Sequence, residues 1–255
     1  MSRYQRFIGA TAGIDDELCN MFGSTVPREV DSTLDDFSGS APLFPLPNIV
    51  LFPQALLPLQ IFEPRYRQMT ADALEGERMI AMGLLLPGWE QLPSSAVPPI
   101  YPIVGLGKII AHEKLEDGRY YLILRGVARA KVLREKQADL PYRIGELEIY
   151  EDIAESTISI KRQDRIDEIV SLFVRLFPQV NIQQLFLQSI SELPLATVCD
   201  VLLGSIPMAT ERAQLFLEEL DADERSRMLL DLLEQGARRG VGSLQRAFPP
   251  DFSVN

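Results

Sequence analysis

Apolar and polar positions follow two different periods along the chain. Between residues 43 and 150, apolar residues form short runs separated by proline, glycine and charged residues, which is typical of β-strands. From residue 153 onward they recur every three or four positions, which predicts amphipathic helices. The sequence therefore predicts an α+β protein in which a β-rich part precedes a helical part.

The β-rich part opens with a proline-rich segment, "LFPLPNIVLFPQALLPLQIF", at residues 43–62. Because proline cannot donate a ladder hydrogen bond, this segment predicts short strands and bends and excludes a helix. Pro64 then suits the first turn of a helix that ends at Gly76. The predicted apolar face of this helix consists of Tyr66, Met69, Ala73 and Leu74.

Further strands are predicted downstream of this helix. Residues 78–86 predict a buried strand, and residues 101–136 predict a β-hairpin with a tight turn at 116–118, "EDG". Residues 141–152 predict one more strand, whose apolar positions change phase at Gly145 and Glu146. We therefore expect a β-bulge at that point, bending the strand as a small barrel or sandwich requires.

The helical part begins with a segment that ends before Pro178. Thr210 and Asp221 are predicted N-caps of later helices, and Asp221 is followed by Glu224 at capping-box spacing. Further helices are predicted in 181–190, 195–206, 209–220 and 222–235. The predicted buried face of the first helix consists of Ile166, Ile169, Val170, Phe173, Val174 and Phe177.

These patterns divide the chain into four segments. Residues 1–40 predict an acidic, loosely structured leader, and residues 41–152 a β-rich unit. Residues 153–237 predict a helical unit, and residues 238–255 a mobile tail.

Charge argues against a nucleic-acid or membrane partner. The net charge is -11, and residues 41–150 carry 12 acidic and 12 basic residues. An acidic chain repels phosphate groups, so nucleic-acid binding is disfavoured. The predicted hairpin carries a basic run, which we interpret as a solvated strand surface paired with carboxylates: Arg125, Arg129, Lys131, Arg134 and Lys136.

The small number of cysteine and histidine residues limits both the cellular compartment and the chemistry that we expect. Cys19 and Cys199 form no CxxC pair or disulfide framework, and no stretch approaches the ~18 apolar residues of a membrane span, so we expect a cytoplasmic protein. His112 is the only histidine, which excludes multi-histidine metal sites. We expect His112 to be an ordinary strand residue and Cys199 a buried one, with no catalytic residue, metal or cofactor.

One long segment resembles a known family. "PLFPLPNIVLFPQALLPLQIFEPRYRQM" (residues 42–69) is similar to the opening of the Lon substrate-binding domain, the N-terminal domain of ATP-dependent Lon proteases that also occurs in cereblon. "MIAMGLLLPG", "YPIVGLGKII", "DGRYYLILRGVARAKVLRE" and "PYRIGELEIYED" follow in the expected order, so the resemblance spans roughly residues 42–237. It implies a PUA-like β-barrel with one inserted helix, a following α-helical bundle, and recognition of polypeptides.

The departures from full Lon protease matter for function. The GxxxxGK(S/T) phosphate loop is absent, and so is a serine motif for a Ser–Lys peptidase dyad. Cereblon's zinc cysteines are also missing. We therefore expect a stand-alone, non-catalytic member of this family.

Two stretches are candidate sites. In the proline-rich loop at 87–99 and just before it, Leu86, Trp89, Leu92 and Val97 are predicted to contact a peptide or partner, although Trp89 could equally cap the barrel. The "FEPRYR" motif is interpreted as structural: Glu63 pairs with an arginine at the corner begun by Pro64, and Tyr66 packs inward. Its charged members are Glu63, Arg65 and Arg67.

Three functions remain open at this stage. The leading hypothesis is ATP-independent binding of exposed hydrophobic or unfolded polypeptide segments. The alternative is an adaptor that docks on one folded partner such as a protease, and an RNA-binding PUA-like module is disfavoured. The leader could also fold back over an apolar groove through Phe22, Leu34 and Phe37.

Overall fold

The computed structural model describes residues 34, 37–93, 97–153, 159–180, 190 and 193–240. These residues form six strands: β1 (Ser40–Leu46), β2 (Leu56–Ile61), β3 (Met79–Leu84), β4 (Ile103–Lys114), β5 (Tyr120–Lys136) and β6 (Arg143–Tyr150). Five α-helices accompany them: α1 (Pro64–Glu75), α2 (Ser159–Leu176), α3 (Leu195–Leu203), α4 (Thr210–Glu218) and α5 (Ala222–Arg239). The fold is α+β, as the sequence predicts.

Five of the strands close into a small barrel. The sheet has the order β2-β5-β4-β3-β1-β6, and β6 pairs with β5 as well as with β1. Among the paired strands, only β1 and β3 run parallel. Strand β2 and helix α1 form the crossover that connects them. Strand β2 lies at the edge and pairs with the first half of β5 alone. The predicted barrel with one inserted helix is confirmed.

The predicted bulge is present but lies on the neighbouring strand. Val132 pairs with Leu147 and Arg134 pairs with Glu146, so β5 contains the extra residue, Leu133. The change of phase at Gly145 has a different cause, since Gly145 is buried beside the side chain of Leu43 and β6 keeps its alternation. The bulge therefore bends β5, whereas the sequence predicts the bend in β6 at the residues that pair with this part of β5.

The proline-rich segment between β1 and β2 crosses the barrel over glycines. A Cβ at Gly105 would collide with the carbonyl of Leu51, and a Cβ at Gly126 would collide with the carbonyl of Phe52. Gly126 also donates to the Ala55 carbonyl at 2.9 Å. The sequence places glycine where two backbones approach too closely for any side chain.

Three apolar clusters form the core. One lies beneath α1 and includes Tyr66 and Met69. A second takes residues from every strand of the closed barrel, and the leader residues Leu34 and Phe37 pack against it. The third belongs to the helices but also contains Phe52 and Ile103 from the β-rich part. The two parts therefore share a core across their boundary.

The helical part differs from the sequence prediction in three places. The helical spacing predicts that Val174 lies on the buried face of α2, but its side chain is 42% exposed. Thr210 is the first residue of α4 and provides no cap, whereas Asp221 accepts from the backbone N–H groups of Asp223 and Glu224. Helix α5 continues to Arg239, beyond the predicted start of the tail.

Several predictions fall outside the described part of the chain. They concern residues 1–33, nearly all of the helix predicted at 181–190, and the tail from residue 241. Among the described residues, no helix is long and apolar enough to span a bilayer.

Candidate interaction surface

The described residues of the loop at 87–99, which are 87–93 and 97–99, lie at one end of the barrel. Its base is held by a bridge between Leu85 and Ile100 and by the Leu86 N–H, which donates to the Pro99 carbonyl at 2.9 Å. Gly88 adopts a φ of 86°, which favours glycine, and introduces a short 3-10 helix at Trp89–Gln91. The scaffold thus presents the loop on two fixed strand ends.

Arg143 joins this loop to the turn between β5 and β6. Its Nη1 donates to the Pro98 carbonyl at 2.9 Å, and its Nε donates to a carboxylate oxygen of Glu135 at 2.7 Å. The first residue of β6 therefore contacts both the loop and the end of β5. This places Val97 beside the end of the β5–β6 hairpin.

An exposed apolar surface results at this end of the barrel. We define the apolar rim as Leu92, Val97, Leu133 and Leu140, whose side chains are 39%, 66%, 53% and 40% exposed. Leu92 and Val97 come from the loop, Leu133 from the β5 bulge and Leu140 from the β5–β6 turn. Exposed large apolar side chains are typical of interaction sites, and three segments at this end of the barrel contribute four of them.

The predicted loop residues divide into two groups. Leu92 and Val97 are exposed, whereas Leu86 and Trp89 are half-buried at the base of the same loop. The sequence pattern does not single out Leu133 or Leu140. Their exposure follows from the position of the bulge and the length of the turn, and a hydrophobic pattern alone carries no signal for either.

The "FEPRYR" motif forms the corner between β2 and α1. Arg65 pairs with Glu63 at 2.9 Å, and its guanidinium lies 4.4 Å from the ring centre of Tyr66. Tyr66 is buried against Phe44, and burial raises the pKa of its hydroxyl. Arg67 lies against Gly118 in the β4–β5 turn. Each of these contacts is internal to the fold.

A buried charge network connects the barrel to the helices. Arg129 of β5 donates to both carboxylate oxygens of Asp200 on α3, at 2.8 and 2.5 Å. Its Nε donates to the Leu217 carbonyl at 2.9 Å. Arg225 of α5 lies 3.3 Å from the same carboxylate and donates to Asp152 at 2.9 Å. Arg129, Asp200 and Arg225 are all at least 98% buried.

The electrostatics of this network favour a structural role. Burial raises the pKa of Asp200, since desolvation penalises the carboxylate, and the guanidinium of Arg129 opposes that shift. The bidentate hydrogen bond that Arg129 donates to Asp200 requires the ionised carboxylate. Asp200 therefore lies buried between two guanidiniums, and only Asp152, whose side chain is 30% exposed, connects the network to the surface.

The sequence predicts a solvated strand surface for Arg129, and the structure corrects that interpretation. Each basic residue of the run has an internal partner in the described structure. Arg125 donates to Gln54, Lys131 lies over the ring of Tyr150, Arg134 pairs with Glu146, and Lys136 donates to Ser40. Arg129 alone is buried, because it faces the helices.

The other candidate groups show no catalytic arrangement. His112 lies exposed on β4 with its Nδ1 3.4 Å from Arg78, and partial burial together with Arg78 lowers its pKa. Among the described residues, no group of three histidine, cysteine or acidic side chains could hold a metal. Cys199 is buried in α3, beside the charge network.

Cys199 is expected to be chemically silent in the folded protein. Burial raises the pKa of its thiol to about 12, so the reactive thiolate at pH 8 is about three orders of magnitude scarcer than for a free cysteine. In a Cys19→Ser variant, a thiol reagent should therefore label Cys199 only after urea is added. Rapid stoichiometric labelling in buffer, at the rate of a free thiol, would contradict this.

The fold and the surface define a class of protein. It is a closed β-barrel joined to a helical unit by buried charges, with an exposed apolar rim. The sequence model of the ATP-dependent protease La (LON) substrate-binding domain matches residues 40–235. The chain therefore belongs to the Lon substrate-binding domain family, which confirms the resemblance seen at residues 42–69. The matched domain is the non-catalytic part of Lon, and membership supports a role in substrate binding.

Individual relatives agree with this assignment. The chain is 26% identical over 203 residues to the Lon protease of Dictyoglomus thermophilum, covering 78% of this chain and 24% of that protein. The corresponding values for the Lon protease of Anaeromyxobacter dehalogenans are 24% over 207 residues, 79% and 24%. The chain thus spans about a quarter of the length of these relatives.

Solved structures show the same fold. A Lon N-terminal domain protein from Xanthomonas campestris superposes with a TM-score of 0.54 at 24% identity, covering 75% of this chain and 97% of that one. The N-terminal domain of the Mycobacterium avium complex Lon protease gives 0.57 at 16% identity, covering 76% and 98%.

Proposed function

We propose that this domain binds exposed hydrophobic segments of unfolded polypeptides, without ATP, at the apolar rim. The observation that carries the proposal is the rim itself: four exposed aliphatic side chains from three separate segments at one end of a rigid barrel. Family membership supports substrate binding, and the rim supplies a surface for it.

The physical basis of binding is burial of apolar area. Each Å² removed from water contributes about 25 cal/mol before the ordering of an unfolded segment is subtracted. Aliphatic side chains impose little directional demand, so the rim should accept many sequences with modest affinity. The sequence contains no phosphate loop, which supports binding independent of nucleotide.

An RNA-binding function has less support. RNA recognition requires a basic face with free cations and stacking aromatic residues. The basic residues of β5 already have internal partners, and Arg129 is buried. The same geometry favours a polypeptide over a nucleic acid as the partner.

Replacing Leu92 and Val97 together by serine is expected to weaken binding of an apolar peptide about tenfold. Together the two substitutions are expected to remove about 1.4 kcal/mol of apolar burial, which corresponds to that factor. Trp89 is the only tryptophan and lies at the base of the loop, so its fluorescence can report the titration. The peptides should come from an array covering an unfolded model protein.

The matched control is Leu215→Ser, which removes an exposed aliphatic side chain from α4 of the helical unit. Its affinity should equal that of the wild type. If the rim variant also keeps full affinity, the site lies elsewhere. If no peptide binds to the wild type, the proposed function fails and one folded partner becomes the better hypothesis.

A further inference from the structure

We propose that the apolar rim selects apolar segments flanked by lysine or arginine. This inference rests on the proposed function and adds a rule of specificity to it. It comes from two carboxylates, Glu90 and Asp139, which are adjacent in sequence to rim segments and exposed. Glu90 lies in the short 3-10 helix before Leu92, and Asp139 precedes Leu140 in the β5–β6 turn.

Most other charges at this end of the barrel are neutralised locally. Glu135 pairs with Arg143, and Arg134 pairs with Glu146. Lys136 donates to the hydroxyl of Ser40 at 2.6 Å and pairs with no carboxylate among the described residues. Glu90 and Asp139 form no ion pair or hydrogen bond with any residue that the structure describes, which leaves the rim with a net negative flank.

The shape of the surface gives a cationic side chain room to reach Asp139. An open depression next to Asp139 is lined by residues 135–139 together with Tyr142 and Arg143, and of its two cations Arg143 is paired with Glu135, which leaves Lys136 opposite Asp139 in charge. A long lysine or arginine side chain can lay its methylene groups along apolar surface and still place its charge in water next to a carboxylate. A bound segment with its apolar core on the rim would thus extend its flanks toward the two carboxylates.

The net charge of -11 acts in the same direction at longer range. It attracts cationic segments and repels acidic ones, and salt screens the effect over about 10 Å at 0.1 M. Surface ion pairs are individually weak, so the selection should be a preference and should not replace apolar burial. We expect lysine-flanked peptides to bind about tenfold more tightly than glutamate-flanked ones at low salt.

The test uses three peptides that share one apolar core and carry lysine, glutamine or glutamate flanks. Affinity should fall in that order at about 50 mM salt, and the differences should shrink at about 500 mM. In a Glu90→Gln/Asp139→Asn variant, lysine-flanked and glutamine-flanked peptides should bind within about twofold of each other. The variant should keep its affinity for the glutamine-flanked peptide, because the apolar rim is unchanged.

A Glu113→Gln/Asp164→Asn variant is the matched control. It makes the same chemical changes at exposed carboxylates on the far end of β4 and on α2, so it alters net charge equally without touching the rim. It should retain the preference for lysine flanks. If both variants lose the preference equally, net charge alone is responsible and the assignment to Glu90 and Asp139 is wrong.

The remaining outcomes separate this inference from the proposed function. Equal binding of all three peptides to the wild type would overturn the charge preference and leave apolar binding intact. Failure of all three peptides to bind would overturn both. Tighter binding of the glutamate-flanked peptide would require a different orientation of the segment, with its flanks at Lys136, and would overturn the inference.

Discussion

Replacement of Asp200 by alanine is expected to lower the free energy of unfolding by about 3–5 kcal/mol. The substitution leaves Arg129 and Arg225 buried without the carboxylate that both contact. Asp152 alone then remains beside the two buried cations, and losing one carboxylate of a buried network costs far more than the net stabilisation of an intact pair. Urea unfolding followed by far-UV circular dichroism measures the change as a lower midpoint.

The control lies on the same strand. Arg134→Ala removes an ion pair with Glu146 whose arginine is largely exposed, so the expected loss is below about 1 kcal/mol. If Asp200→Ala fails to fold, an Arg129→Met/Asp200→Leu variant removes both charges and should fold more stably than the single variant. A loss as small as that of Arg134→Ala would show that water or rearrangement compensates both guanidiniums, against the buried geometry.

The network also predicts how the two units unfold. Barrel and helices share an apolar cluster and the Arg129–Asp200 pair, so the wild type should unfold in one transition. Fluorescence of Trp89 reports the barrel, and circular dichroism reports mainly the helices. In Asp200→Ala, the two signals should separate, because the contacts across the boundary are the ones weakened.

Helix starts and tight turns could be predicted from the sequence, because they depend on interactions between residues that are close together in the chain. Helix α1 begins at Pro64, whose ring fixes φ in the helical range, and α5 begins after the capping side chain of Asp221. The β4–β5 turn uses Gly118 at a φ of 81°. Each of these signals lies within a few residues of the structure that it determines.

The charge network could not be predicted, because it joins residues that are far apart in the sequence. Arg129 and Asp200 are 71 residues apart, and Arg129 stands in a basic run whose other members have solvent-side or local partners. What distinguishes Arg129 is the packing of α3 against β5, which no local pattern records. The same holds for Val174, which has helical spacing but faces solvent.

The candidate surface was predictable only in part. Proline and Trp89 marked the 87–99 loop, but the rim also needs Leu133 and Leu140. Leu133 is exposed because the extra residue of the bulge falls on β5, and that depends on the register between β5 and β6. Register is a property of paired strands, so the sequence indicated a bulge and assigned it to the wrong strand.

Replacement of Gly126 by alanine is expected to lower the free energy of unfolding by about 2–3 kcal/mol. A Cβ at this position would overlap the backbone carbonyl of Phe52, and two hydrogen bonds hold that crossing segment in place: Gln54 N–H to the Gly126 carbonyl and Gly126 N–H to the Ala55 carbonyl. The φ of Gly126 lies outside the left-handed range, so steric overlap alone accounts for the loss.

The control is Gly107→Ala, on β4 beneath the same segment. Its added Cβ would meet the tip of the Leu51 side chain, which can rotate away, so we expect a loss below about 1 kcal/mol. Urea midpoints compare the two variants, and equal losses would contradict an effect of backbone proximity.

The consequence of Gly126→Ala should reach the helices. Ala55 of the crossing segment contacts Gly204 at the end of α3, and Phe52 belongs to the helical cluster. Lifting the segment from the barrel therefore also disturbs the packing of α3, which carries Asp200. This explains why a chain would concentrate proline and large apolar residues at 43–62: a stiff segment fixed over glycines joins the barrel to the helices on the side where the buried charges meet.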